Sequence, residues 1–436
     1  MRVRYRKILS TLGDQFWLLP GAMVLGGILL AVALVELDRG GLVPGWLIRS
    51  PWLYNGGGTG ARTLLGAVAS STIGVAGTVF SITIASLSLA AGQMGPRLLR
   101  AFVRDRGNQA TLGAFLATFS YALMVLRSVR THGEGEFTPH VALSVGILLA
   151  FVCVGTLVLF VGHTAWRINV DTVVDLVSNE LNAAVRRLAR DDPAPVADEP
   201  ALPGNAMAVT DDRRGYLQHL DTDLLADWAD RQGVFLKLLV RPGDYVFPGA
   251  PIALVAPSVA GAARAIRRAT ALAPQRISDE DLEYAVRQLV EVAVRALSPG
   301  INDPHTAMSV LDRLGAALCD LAPRRLPAGL VCRQGRPVLA RPAVGYPGIT
   351  DAMFHMIRQN AAGSPPVLIR LVEVLTAVAG VERDPARLRE LARHADLVLA
   401  DGEREIAAPA DRGDLALRHR RFRDRVEQGP AGGGAL

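Results

Sequence analysis

Lysine is almost missing from this chain. Only Lys7 and Lys237 occur, and arginine carries the rest of the positive charge. No lysine stands where a phosphate-binding GxxxxGK(S/T) loop needs one, and that loop is absent. HExxH, GxSxG and CxxC are absent too, which removes the usual zinc-peptidase, serine-hydrolase and thiol-redox signatures. Three cysteines, Cys153, Cys319 and Cys332, are too few and too scattered for a disulfide framework or a zinc site. No basic patch interleaved with aromatics stands out on a soluble stretch, so nucleic acid is not an expected partner. Neither a cofactor nor a metal is assigned.

Charge of either sign is missing over long runs. Residues 63–96 hold thirty-four positions without one charge, where a membrane helix needs about 20 apolar residues. Further apolar runs place spans at about 15–36, 108–127 and 139–163, beside the one at 63–91. The first follows a basic start and is longer than the about 7–15 residues of a signal-peptide core, so it reads as an uncleaved anchor. Residues 1–166 carry a surplus of seven positive charges, whereas 167–436 are nearly neutral. Basic segments at the N-terminus and after the second span belong inside, which puts both termini in the cytoplasm. The expected fold class is therefore an α-helical polytopic membrane protein with four transmembrane helices and a mixed α+β, mostly helical, cytoplasmic domain.

The second span shows a stripe at seven-residue spacing: Ser71, Gly74, Thr78, Ser81, Ala85 and Ser88, continued by Gly92. Small residues let helices approach closely, which makes packing the default reading. The alternative is several copies turning that face to a shared axis as a narrow pore. At 1.5 Å per residue the run is about 50 Å long against about 30 Å of hydrocarbon. Behind it, Arg97, Arg100, Arg104 and Arg106 surround Leu98, Leu99, Phe102 and Val103. That pattern suits a short interfacial helix from Pro96 to Gly107 touching lipid headgroups, or a plain positive-inside loop. His132, Glu134, Glu136 and His140 form an outer loop whose glycines favour solvation over cation binding. His163 reads as an interfacial polar residue without a function.

The second half divides into a helix at 167–190 continuing the fourth span, a proline-rich linker at 191–204, a small β-rich module at 205–265, a helical region at 276–425 and a disordered tail at 426–436. Strands are expected near 215–220, 234–240 and 251–256, with a helix near 222–232. The phrasing loosely resembles halves of lipoyl-type domains, but the lysine that would carry that cofactor is absent. Ser278 with Asp281 reads as a capping box. Asp303 reads as an N-cap followed by Pro304, and further helices lie near 348–362, 365–379 and 385–406. In the SPGINDPHTA turn, Ser298, Asn302, Asp303 and His305 form either a binding site at a helix N-terminus or a joint whose polar groups only cap.

Three stretches, TVFSITIASLSLAAGQMGPRLLRAFVRDRGNQ, RGYLQHLD with RPGDYVFPG, and VRQLVEVAVRALSPGINDP followed by LDRL, carry a resemblance. The chain resembles the bacterial membrane proteins called domain of unknown function 2254 from the first span to about residue 400. Gly300 stands where that family more often has alanine. The resemblance implies an integral membrane location and carries over no catalytic residue. The functional expectation is a homo-oligomeric channel or transport-like protein in the lipid bilayer, its small-molecule or ion ligand unspecified and its cytoplasmic part regulatory. A membrane-anchored sensory or scaffold protein is the alternative, and an enzyme using the 302–305 turn comes third.

Overall fold

The computed structural model describes residues 16–40, 56–94, 105–130, 137–167, 170–189, 200–276, 281–327 and 329–429. The chain forms two compact units, Met1–Thr172 and Val173–Leu436.

Among the described residues of the first unit, apolar sequence makes four helices: α1 (Leu18–Arg39), α2 (Gly58–Met94), α3 (Arg106–Ser128) and α4 (His140–Arg167). All four are long and apolar enough to cross a membrane. Pro20 sits in the first turn of α1, where its missing N–H costs nothing. Helix α3 is the hub and packs against α1, α2 and α4. Close approach of α1 and α3 depends on Gly27, because a Cβ there would lie 2.7 Å from the Ala117 carbonyl oxygen. Leu65, Tyr121, Val125 and Leu143 fill the core, and Tyr121 donates to the Ala142 carbonyl at 2.6 Å. At the end of α1, the Asp38 carboxylate accepts from the backbone N–H groups of Val141 (3.3 Å) and Ala142 (3.1 Å). A negative charge thus meets the positive end of the α4 dipole.

Helix α5 (Val170–Leu188) begins three residues before the second unit and leads into it, with Val174, Val177, Leu181 and Val185 buried. The residues that would join α4 to α5 as one helix, 168–169, lie outside the described residues. Two sheets follow. One has the order β1 (Met207–Thr210), β5 (Pro251–Ala256), β3 (Phe235–Leu238), β8 (Arg336–Ala340), β7 (Leu330–Arg333). The other has β4 (Tyr245–Val246), β2 (Gly215–Leu220), β6 (Thr270–Ala273). All pairings are antiparallel except β3 with β8. Helices α6 (Thr222–Gln232) and α7 (Ala262–Ala269) pack on this core through Leu225, Ala229 and Ile266. Asp221 caps α6 by accepting from Leu224 N at 3.0 Å, and Gly233 ends it at φ 63°.

Among the described residues, six helices follow: α8 (Leu282–Ala296), α9 (Pro304–Leu321), α10 (Tyr346–Asn360), α11 (Pro365–Ala379), α12 (Pro385–Glu405) and α13 (Pro409–Gln428). Helix α11 is central, its Leu368, Leu371, Val372 and Leu375 fully buried against α9, α12 and α13. Asp–Pro pairs start two of these helices. Asp303 and Asp384 accept from the second or third backbone N–H, with Pro304 and Pro385 at the first helical position.

Two expectations need correction. The N-cap of α8 is Asp281, which accepts from Tyr284 N, and Ser278 lies outside the described residues. Asp281 is buried beside Arg276, at 2.8 Å, and its own carboxylate caps the helix start. Gly107 does not end an interfacial helix but sits in the first turn of α3. Strands β1 and β4 and helix α13 fall in the stretches expected to be β-rich and helical without being placed individually, whereas β6, β7, β8 and α7 were not anticipated.

Candidate functional site

The stripe on α2 is entirely exposed in the protomer: Ser71, Gly74, Thr78, Ser81, Ala85 and Ser88. The packed side of α2 is another face, formed by Leu65, Ala69, Thr72, Ala76 and Val79. No atom approaches within 4 Å of where a Cβ on Gly74 would stand. Among the described residues, packing inside the protomer therefore does not use the stripe. Its hydroxyls fold back onto their own helix, Ser71 to Val68 O (3.1 Å), Thr78 to Gly74 O (3.2 Å) and Ser81 to Gly77 O (2.9 Å). Such back-bonding satisfies a hydroxyl in an apolar surrounding without a partner helix.

Of the basic collar, Arg106 is the exposed first residue of α3, and Arg97, Arg100 and Arg104 lie outside the described residues. His132, Glu134 and Glu136 also lie outside them, and His140 begins α4. His163 has a structural partner: its Nε2 is 2.7 Å from Asp105 Oδ2, while Asp105 Oδ1 accepts from Gly107 N at 3.0 Å. A side chain at residue 107 would meet His163, so glycine keeps this link between α3 and α4 open.

In the SPGINDP turn the chain satisfies itself. Ser298 O accepts from the N–H groups of Ile301 and Asn302, and Ser298 Oγ donates to Arg295 O at 2.6 Å. Left-handed backbone falls on Asn302 (φ 49°), a residue type that tolerates it. Asp303 accepts from Thr306 N (3.1 Å) and Thr306 Oγ1 (2.6 Å), while His305 and Asn302 are exposed. The Thr306 hydroxyl holds the Asp303 carboxyl below the usual carboxylate range, against a smaller opposing effect of burial. Asp303→Ala is expected to cost about 1 kcal/mol and Asp303→Asn much less. Hydrogen exchange along α9 at neutral pH measures the deficit. A lowered folded pKa stabilises above the unfolded value near about 3.9 and ceases to do so as pH falls through the folded value. The gap between wild type and Asp303→Ala should therefore close below about pH 4.

Two further clusters escaped the sequence reading. A cavity of about 450 Å³ lies in the second unit, among His219, Asp221, Arg241, Asp281, Leu326 and Arg341. Its acids are engaged: Asp281 with Arg276, Asp221 in its cap, and Asp223 with Arg333 at 2.7 Å. Arg241 pairs with Glu283 at 2.5 Å, whereas the buried Nε of Arg341 has no partner among the described residues. The second cluster lies where α10 packs on α12. Asp351 Oδ1 receives His355 Nε2 at 2.8 Å, His394 Nε2 at 3.3 Å and a guanidinium nitrogen of Arg393. Burial, with Arg393 and His355 adding to it, pushes the His394 pKa down to about 3, so the imidazole is neutral. Asp351 and His355 share a helix face at i, i+4, but nothing in the spacing points to His394.

Four apolar helices in one unit and a mixed α/β fold in the other describe a helical membrane-type protein with an additional domain. The chain belongs to the family described as predicted membrane protein (DUF2254), which matches residues 13–377. It is 32% identical over 424 residues to an uncharacterised protein of Mycobacterium tuberculosis strain H37Rv, covering 94% of this chain and 80% of that protein. An uncharacterised protein of Mycobacterium bovis is similar to the same extent, 32% over 424 residues. No solved structure matches the chain.

Proposed function

We propose that the chain is a homo-oligomeric channel or transport-like protein of the bacterial inner membrane. The small stripe of α2 faces a shared axis, and the second unit, on the cytoplasmic side, regulates it. One observation carries this reading: the six stripe residues are exposed along one face of α2 while the residues that hold α2 to α3 lie on another. Small side chains with internally satisfied hydroxyls permit close contact between copies, and the same hydroxyls can turn to water along a pore. Positive-inside charge supports both termini in the cytoplasm.

The test is assembly and flux. Light scattering of the purified protein in detergent should give a multiple of the 46.4 kDa chain mass, and proteoliposomes should pass ions under a gradient. A monomer removes the channel reading. An oligomer without flux under any gradient favours the second reading, a membrane-anchored sensory or scaffold protein. The cavity supports that alternative, since Arg341, whose buried Nε has no partner among the described residues, lines a space that suits a small anionic ligand. An enzyme built on the 302–305 turn has least support, because the polar groups there serve the chain's own caps.

A further inference from the structure

We propose that Asp351, His355 and His394 bind one first-row divalent cation of the Zn2+ or Co2+ kind at the seam of α10 and α12, in the place that Arg393 occupies. The three residues each offer one ligand atom, and these atoms lie within 4.8 Å of one another. Three nitrogens crowd a single oxygen, Asp351 Oδ1. An Arg393 guanidinium nitrogen is 3.2 Å from His394 Nε2, and a guanidinium only donates. In the tautomer with the imidazole proton on Nδ1, His394 Nε2 points its lone pair at that nitrogen; in the other it donates to Asp351 Oδ1 at 3.3 Å. That Nδ1 is buried and has no partner among the described residues. With the proton on Nδ1, lone pairs from a neutral imidazole and from a carboxylate converge on one positive group.

A divalent metal answers the same convergence better than a guanidinium does. It accepts from both lone pairs at short range, and it recruits the second imidazole through His355 Nε2. The two rings stand 5.1 Å apart at 56°, one on each helix. Arg393 is not stranded by leaving, because its side chain is 39% exposed and is already held by Glu390 at 2.8 Å. Asp351 and His355 are partly open to solvent, which supplies an entry path and leaves coordination positions for water. Two imidazoles and one carboxylate suit Zn2+ or Co2+ better than Mg2+ or Ca2+, which prefer all-oxygen sites. The rival account makes the cluster a hydrogen-bonded helix seam in which Arg393 is the permanent cation.

Cobalt titration separates the two. The full chain in detergent, stripped with a chelator, is titrated with Co2+ and followed by visible absorption and by metal content after desalting. One equivalent is expected in the wild type and none in His355→Ala, a change at a partly exposed position that leaves the helix in place. Arg393→Ala removes the competing charge and should bind roughly tenfold tighter or more. Asp351→Asn should lose the site while keeping the wild-type elution volume. The proposal is overturned if the wild type takes up no cobalt, if His355→Ala binds it as well as the wild type does, or if Arg393→Ala binds no more tightly.

Discussion

Asp401→Ala costs the second unit about 3–5 kcal/mol, the loss expected when one member of a buried ion pair is removed. Arg358 and Asp401 pair between α10 and α12, at 9% and 5% exposure. Without the carboxylate, the Arg358 guanidinium stays buried with no counter-charge, and its Nε already lacks a partner among the described residues. Loss of Arg358 is milder, because Arg404 still holds Asp401 at 2.7 Å. Arg358→Met should therefore destabilise less than Asp401→Ala, and the double variant Arg358→Met with Asp401→Leu should recover most of the loss. Hydrogen exchange of α10 and α12 peptides in the intact protein reads all three. A loss below about 1 kcal/mol for Asp401→Ala would show that the pair is solvated like a surface bridge.

Ser81→Trp should reduce both assembly and flux while leaving the protomer folded. Ser81 is exposed and bonds only to its own helix at Gly77 O, so an indole there displaces no packed neighbour within the chain. Between two copies the same indole pushes the helix backbones apart. Overpacking typically costs about 1–3 kcal/mol, or about 5- to 150-fold in association per contact. Phe151→Trp on the exposed face of α4, at 70% exposure, is the matched control and should change neither readout. Equal effects from the two substitutions, or none from Ser81→Trp, would sink the shared-axis arrangement.

What was legible in advance follows from the range of each signal. The four apolar helices announce themselves because a run such as 63–96 has no soluble explanation. Strands β2 and β5 and helix α6 were readable from local turns and caps, as were Asp303 and Pro304. The stripe on α2 was visible at seven-residue spacing, but which face of α2 packs depends on where α3 lies. The β7–β8 hairpin escaped because Pro337 demotes its second strand and the turn uses Gln334 and Gly335, at φ 51° and 76°, not the common Asn-Gly. The cluster at Asp351 and the cavity at Arg341 were invisible for a different reason. Each joins residues from separate elements, and no spacing encodes the packing of α12 on α10.

The parallel pairing of β3 with β8 has a consequence for biosynthesis. Leu236 leaves the ribosome roughly 100 residues before its partner Leu339, an interval of about 5–20 s at bacterial elongation rates. During that wait one side of β3 has no strand to bond, a template for unwanted pairing. Any nascent polypeptide halted between α6 and β8 carries this open border, so chaperone demand should peak there and fall once residue 340 has emerged.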